Sequence, residues 1–128
     1  MYNRHNKNLY LKHKKWCDEY FYHHARKEPR GAGGNFFDYL KSNSREEWSK
    51  NFYFVKDNGT TFANLIKTMW QPKMNLTFTK KDKERQLIRR GKYAEYNLLY
   101  DRGTKFGLNS GGNPKAILMS MPPSAKWE

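Results

Sequence analysis

Only one cysteine, Cys17, occurs in the 128 residues. An internal disulfide is therefore excluded, and a cysteine-based zinc site has too few ligands. No apolar run approaches the length of a membrane span, and the N-terminus has no apolar segment of the secretory type. The opening Met1-Tyr-Asn-Arg-His is basic and flows into a helical pattern, so it does not read as a transit peptide. A soluble, cytoplasmic protein is the expectation. Acidic residues are scarce: 12 against 25 lysines and arginines, for a net charge of +13. Mean hydropathy is −1.10, low for a domain that folds alone, which suggests that part of the folding unit lies elsewhere.

Aromatics make up 16% of the chain, so a core built on Trp, Tyr and Phe is expected, each burying a large area. The excess of cations implies an anionic partner: nucleic acid, acidic lipid or a polycarboxylate ligand. Because basic residues recur from Arg4 to Lys126 among aromatics, composition does not choose among these. The length fits one domain over residues 1–128.

Leu9 to about Arg26 reads as a helix through Leu9, Trp16 and Tyr20, broken by Pro29 and by Gly31, Gly33 and Gly34. Asn35–Leu40 reads as an aromatic strand. Ser44 with Glu47 starts a helix to about Val55, Asp57-Asn58-Gly59 is a turn signal, and Thr61–Trp70 is amphipathic. Pro72 stops that helix, and Asn75–Thr79 reads as extended. Lys80–Arg90 reads as a charged helix ending before Gly91. Lys92–Asp101 alternates, with Ala94, Tyr96, Leu98 and Tyr100 on one face. Phe106–Leu108 and Ala116–Met121 read as further strands. Pairing Tyr93–Tyr100 with Ala116–Met121 predicts an α+β fold, an antiparallel sheet flanked by helices.

Four stretches carry a resemblance. Lys14-Lys-Trp-Cys-Asp-Glu-Tyr-Phe21 precedes Arg26-Lys-Glu-Pro-Arg-Gly-Ala-Gly-Gly-Asn-Phe-Phe-Asp38. Then come Gln86 to Leu108, containing Arg-Gly-Lys-Tyr-Ala-Glu-Tyr-Asn-Leu-Leu-Tyr-Asp-Arg-Gly-Thr, and Ala116-Ile-Leu-Met-Ser-Met-Pro-Pro123. In order and spacing these resemble the C-terminal part of the oxygen-dependent coproporphyrinogen III oxidases. The resemblance implies a flat antiparallel sheet sandwiched by helices in a homodimer. It implies oxidative decarboxylation of two propionates of coproporphyrinogen III to vinyls, giving protoporphyrinogen IX in haem biosynthesis. Molecular oxygen is the oxidant, with no metal or organic cofactor. The compartment is cytoplasmic, or mitochondrial in a eukaryote with the family's usual targeting.

Guanidinium forks suit a substrate with four propionates, and the resemblance points to Arg30 and Arg102 as substrate-binding. The turn Arg30–Gly34 reads either as an anion-holding loop or as a tight turn whose glycines supply positive φ. Asp101, the candidate catalytic carboxylate, reads equally as half of a structural ion pair or a turn anchor. Gly111, Gly112 and Asn113 match a Gly-Gly-Arg that contacts substrate in the family. Asn113 cannot form the bidentate pair that arginine forms. Ala25 stands where the family has His, and His23 and His24 read as two exposed histidines at a helix end. Cys17 and the Met119/Met121 pair read as core. The family's N-terminal half, with its proton-donating histidine, has no counterpart in the sequence. A fragment, a partner-completed enzyme, or a non-catalytic remnant binding RNA in a ribonucleoprotein are the three readings left open.

Overall fold

A computed structural model describes residues 1–128. The elements are α1 (Lys7–Tyr20), β1 (Tyr22–His23), β2 (Glu28–Pro29), α2 (Arg45–Trp70), α3 (Lys80–Leu99), α4 (Arg102–Asn109) and α5 (Pro114–Ile117), with 3-10 turns at Tyr2–Arg4 and Leu118–Ser120. The strands pair antiparallel, Tyr22 with Pro29 and His23 with Glu28. The fold is α+β, with five helices and one two-stranded sheet far smaller than the alternating segments predicted. No helix is long and apolar enough to cross a membrane. Backbone packing divides the chain into two units, Met1–Glu19 with Gly34–Thr77, and Tyr20–Gly33 with Phe78–Glu128.

The first unit is built on α2. The Ser44 side chain accepts from the Glu47 amide at 3.1 Å, and Glu46 and Glu47 in the first turn suit the helix dipole. The helix runs straight through Asp57-Asn58-Gly59, where a turn was expected. Asp57 is clasped there by Arg4, at 2.7 Å, and by His5, at 3.0 Å, and no proline interrupts before Pro72. The aromatic core expected from composition forms around buried Phe54. The rings of Tyr2, His5, His13 and Phe37 lie 5.1–5.8 Å from it. Cys17 is buried, as its place in an aromatic stripe suggested. Residues 35–40 are not a strand. The chain is held there by the Phe36 amide on the His13 carbonyl and by Phe36 against Trp16, and no second segment offers a ladder.

In the second unit α3 opens with a reciprocal cap, Thr79 with Asp82, and does not end at Gly91. That glycine is buried inside the helix because the C-terminal tail crosses there: a Cβ on Gly91 would lie 2.4 Å from the Lys126 carbonyl oxygen. The three remaining predicted strands are corrected as well. Lys92–Leu99 continues α3, residues 106–108 lie in α4, and residues 116–120 finish α5 and form a 3-10 turn, with Met121 just past it. Residues 75–79 belong to no element. Local capping overrides the weak alternation: Asp101 caps α4, and Asn113 followed by Pro114 starts α5.

Candidate functional site

The β1–β2 hairpin lies on α3, and its inner side is charged rather than aliphatic. Arg26 grips Glu95 with two bonds, Nε to Oε2 at 2.5 Å and a terminal nitrogen to Oε1 at 2.6 Å. His23, 1% exposed, reaches the same carboxylate through Nε2 at 3.0 Å. Opposite His23 in the ladder, Glu28 pairs with Lys92 at 2.8 Å. Hydrogen bonding from Arg26, then its charge and that of His23, hold the Glu95 carboxyl below its ordinary range. Glu28 is lowered by its bond to Lys92. His23 Nε2 bonds the Glu95 carboxylate, and its Nδ1 is buried with no hydrogen-bond partner. The expectation of an exposed His23 is thus corrected: the hairpin turns the ring inward, where it meets Tyr100 edge-on at 5.4 Å. His24 is exposed.

One residue further, the Arg30 amide donates to the Phe21 carbonyl at 2.8 Å. Its guanidinium lies over three rings, 4.1 Å from the centroid of Phe21, 5.1 Å from Tyr96 and 5.2 Å from Tyr93. Such cation–π contacts hold the guanidinium in place without using up its N–H donors. Tyr96 is 1% exposed and donates its hydroxyl to the Tyr20 carbonyl. Burial, more than the nearby charges, pushes its phenol up to about 12, so it stays protonated.

Arg30 also borders a cleft of about 1460 Å³ between the hairpin, α3 and the residues around Ser120. Six cations and four carboxylates line it. Of those carboxylates, Glu28, Asp82 and Glu84 are matched to Lys92, Arg85 and Lys126. The positive balance therefore comes from Arg30, Lys81, Arg89 and Arg90. A cleft so lined favours a ligand with several negative charges.

Asp101 and Arg102 meet the same aromatic cluster from its other end. Asp101 accepts from the Thr104 amide at 2.8 Å and its hydroxyl at 2.9 Å, and from the Tyr20 hydroxyl at 3.3 Å. The two Thr104 bonds are helix-capping bonds, and the Tyr20 bond is a long-range contact. The Arg102 guanidinium lies 4.9 Å from the Tyr20 ring centroid, and its amide donates to the Tyr20 hydroxyl. Tyr20 in turn meets Phe21 at 4.8 Å. Arg30, Asp101 and Arg102 are thereby gathered around Tyr20, Phe21 and Tyr96.

Gly111, Gly112 and Asn113 are not. They form the α4–α5 corner and do not line the cleft. Gly111 has φ +73°, a left-handed turn position. A Cβ on Gly112 would come within 2.9 Å of both the Gly107 carbonyl oxygen and the Ile117 side chain. Asn113 accepts from the Lys115 amide as the α5 cap. Sequence reasoning missed the Arg26–Glu95–His23 cluster and the Lys92–Glu28 pair, although Arg26, Glu28, Lys92 and Glu95 all fall inside the stretches that carry the resemblance.

Comparison with known proteins agrees with that resemblance. The family described as coproporphyrinogen III oxidase matches over residues 1–128. The oxygen-dependent coproporphyrinogen-III oxidase of Rickettsia bellii (strain OSU 85-389) is 51% identical over 125 residues, which are 98% of this chain and 44% of the relative. The enzymes of that name from Rickettsia rickettsii (strain Sheila Smith) and Rickettsia akari (strain Hartford) are each 50% identical over the same shares. The chain thus spans less than half the length of these relatives, and it belongs to the coproporphyrinogen III oxidase family.

Proposed function

We propose that the chain supplies part of the coproporphyrinogen III site of an oxygen-dependent oxidase of haem biosynthesis, its two units being pieces of one oxidase domain. The observation that carries this is Arg30, its guanidinium held over Phe21, Tyr93 and Tyr96 at the edge of a cationic cleft. Clefts of about 300–1,000 Å³ hold drug-sized ligands, and this one has room for a macrocycle. Its unmatched cations suit a molecule with four carboxylates, and the guanidinium offers one propionate a bidentate seat. In the reaction each of two propionates loses its carboxyl group as carbon dioxide and a hydrogen from the carbon next to the ring, leaving a vinyl group. Each time, two electrons and two protons pass to one oxygen molecule to give hydrogen peroxide. Oxygen is the co-substrate, and no metal or organic cofactor is invoked. The residues of this chain bind and orient. Asp101 holds α4, and we assign no proton transfer to it. Homodimerisation and a cytoplasmic setting belong to the same reading.

The test is binding of coproporphyrin III, the stable oxidised macrocycle, followed by quenching of its fluorescence. Arg30→Ala should weaken it at least tenfold, the loss of one charge-assisted bidentate pair of about 1.5–3 kcal/mol. Arg30→Lys should recover little of it, because an ammonium neither stacks flat nor forks. Equal affinity in all three proteins would overturn the assignment. The same cations suit an RNA backbone, the second reading, and a steep salt dependence for RNA with none for porphyrin would favour that instead.

A further inference from the structure

Along α2 runs an apolar seam that its own unit leaves open. Trp48, Phe52, Val55, Gly59, Phe62, Ile66 and Met69 succeed one another at alternating steps of four and three residues, the repeat that keeps side chains on one side of a helix. Trp48 is 58% exposed, Phe62 67% and Met69 55%. The packed face, marked by Phe54, is a different one. At 1.5 Å per residue the seam is about 30 Å long, far more than the isolated apolar side chains an ordinary surface carries.

Two details describe what covers it. Gly59 sits at the midpoint, and a Cβ there would meet nothing within 4 Å. Glycine inside a helix weakens the helix, and a bare backbone at the centre of the seam admits close approach of a second backbone. One edge of the seam is basic: Arg45, Lys56 and Lys67 recur every eleven residues, close to three turns, and so fall on one line.

We propose that this seam docks the part of the family's fold that lies outside the matched stretch. That part would present an apolar strip about 30 Å long with carboxylates facing Arg45, Lys56 and Lys67. More than half the length of each relative lies outside the match, so the family's fold has material to cover the seam. A second copy of this chain fits less well. It brings a second +13 charge and the same basic edge to the contact, and Trp48, Phe52 and Phe62 are larger than the Ile, Val and Leu that paired helices interleave. The inference rests on family membership and not on the cleft, so association can be measured where turnover fails.

The test mixes the 128-residue chain with the unmatched portion of the Rickettsia bellii relative, expressed separately, and follows sedimentation and tryptophan emission. The expected result is a one-to-one complex with a blue shift as Trp48 is covered. Phe62→Glu and Gly59→Leu should each weaken it at least tenfold, about 1.4 kcal/mol. Gly59→Leu is the decisive variant, since the open position accepts the side chain and leucine is the better helix former. The free variant should melt no lower than the parent, so weaker association is not misfolding. Leu11→Glu, on the exposed side of α1, should bind as the parent does. Absence of a complex, undiminished binding by Gly59→Leu, or self-dimers dissolved by Phe62→Glu would overturn the proposal.

Discussion

Gly91→Ala tests the packing of the second unit, because two effects of opposite sign meet at one atom. Inside a helix, alanine is better than glycine by about 1 kcal/mol, so an open site would gain stability. Gly91 is not open. The new Cβ would lie 2.4 Å from the Lys126 carbonyl oxygen, 3.3 Å from its carbonyl carbon and 3.4 Å from the Trp127 ring. The atoms that must yield are backbone, so the tail moves as a piece. With it goes the Lys126 amide bond to the Leu87 carbonyl, now 3.1 Å, and the Lys126–Glu84 pair, which is exposed and adds little.

The bond is worth about 0.5–1.5 kcal/mol, and overpacking at such a contact costs about 1–3 kcal/mol. Against the gain in helix propensity of about 1 kcal/mol, a net loss of about 0.5–3.5 kcal/mol is expected, roughly 4 °C in Tm for each kcal/mol. Amide exchange locates the effect. The Lys126 N–H should be protected in the parent and exchange freely in Gly91→Ala, while amides near the α3 N-terminus are unchanged. A variant that melts higher and keeps the Lys126 amide protected would refute the reasoning, because it would mean the tail does not cross the helix at Gly91.

The hairpin–α3 contact should be acid-labile. The Glu95 and Glu28 carboxyls are held below the ordinary value of 4.5, so their stabilisation is fully present above 4.5 and is lost as pH falls below it through the folded values. Thermal melts between pH 7 and pH 3 should show that decline, and Glu95→Gln should flatten it. An unchanged slope in Glu95→Gln would remove the carboxylate from its assigned role. Asp101→Ala should cost about 0.5–2 kcal/mol through loss of the α4 cap. Asp101→Asn, which caps nearly as well, should melt close to the parent. A large loss in both would mean that the charge, and not the cap, is what matters.

The parts of the architecture legible in the sequence were those set by short-range chemistry. Ser44 and Glu47 announced the start of α2, Pro72 lay just past its end, and the aromatic share anticipated the ring cluster at Phe54. What misled was punctuation read without its partners. Asp57-Asn58-Gly59 has turn composition, yet Asp57 is occupied by Arg4 and His5, more than fifty residues upstream. Gly91 has the look of a helix stop, yet it is there for a tail thirty-five residues on. At the site, Arg30, Arg102 and Asp101 were visible through family resemblance. His23 was not, because a histidine at the end of an expected helix looks exposed until the strand that in fact carries it is seen to face a helix.

The stretch 92–101 shows most clearly how pattern and partner interact. Ala94, Tyr96, Leu98 and Tyr100 alternate as a strand would, but Tyr93, Tyr96, Asn97 and Tyr100 also follow helical spacing, and two residues belong to both sets. The hairpin decides between them. Its inner side presents Arg26 with His23, then Glu28, then Arg30, and these require Glu95, Lys92 and the Tyr93/Tyr96 rings respectively. In a strand, residues 92 and 95 point to opposite faces, as do 93 and 96, and no single hairpin reaches all four. In a helix, pairs three apart lie side by side. Asn97, buried, adds a bond from its side-chain amide to the Tyr93 carbonyl at 2.7 Å, an i−4 bond that only a helix offers. Arg30, one of the unmatched cations of the cleft, is therefore held over two rings that a helix brings side by side, so this part of the fold and the candidate site stand or fall together.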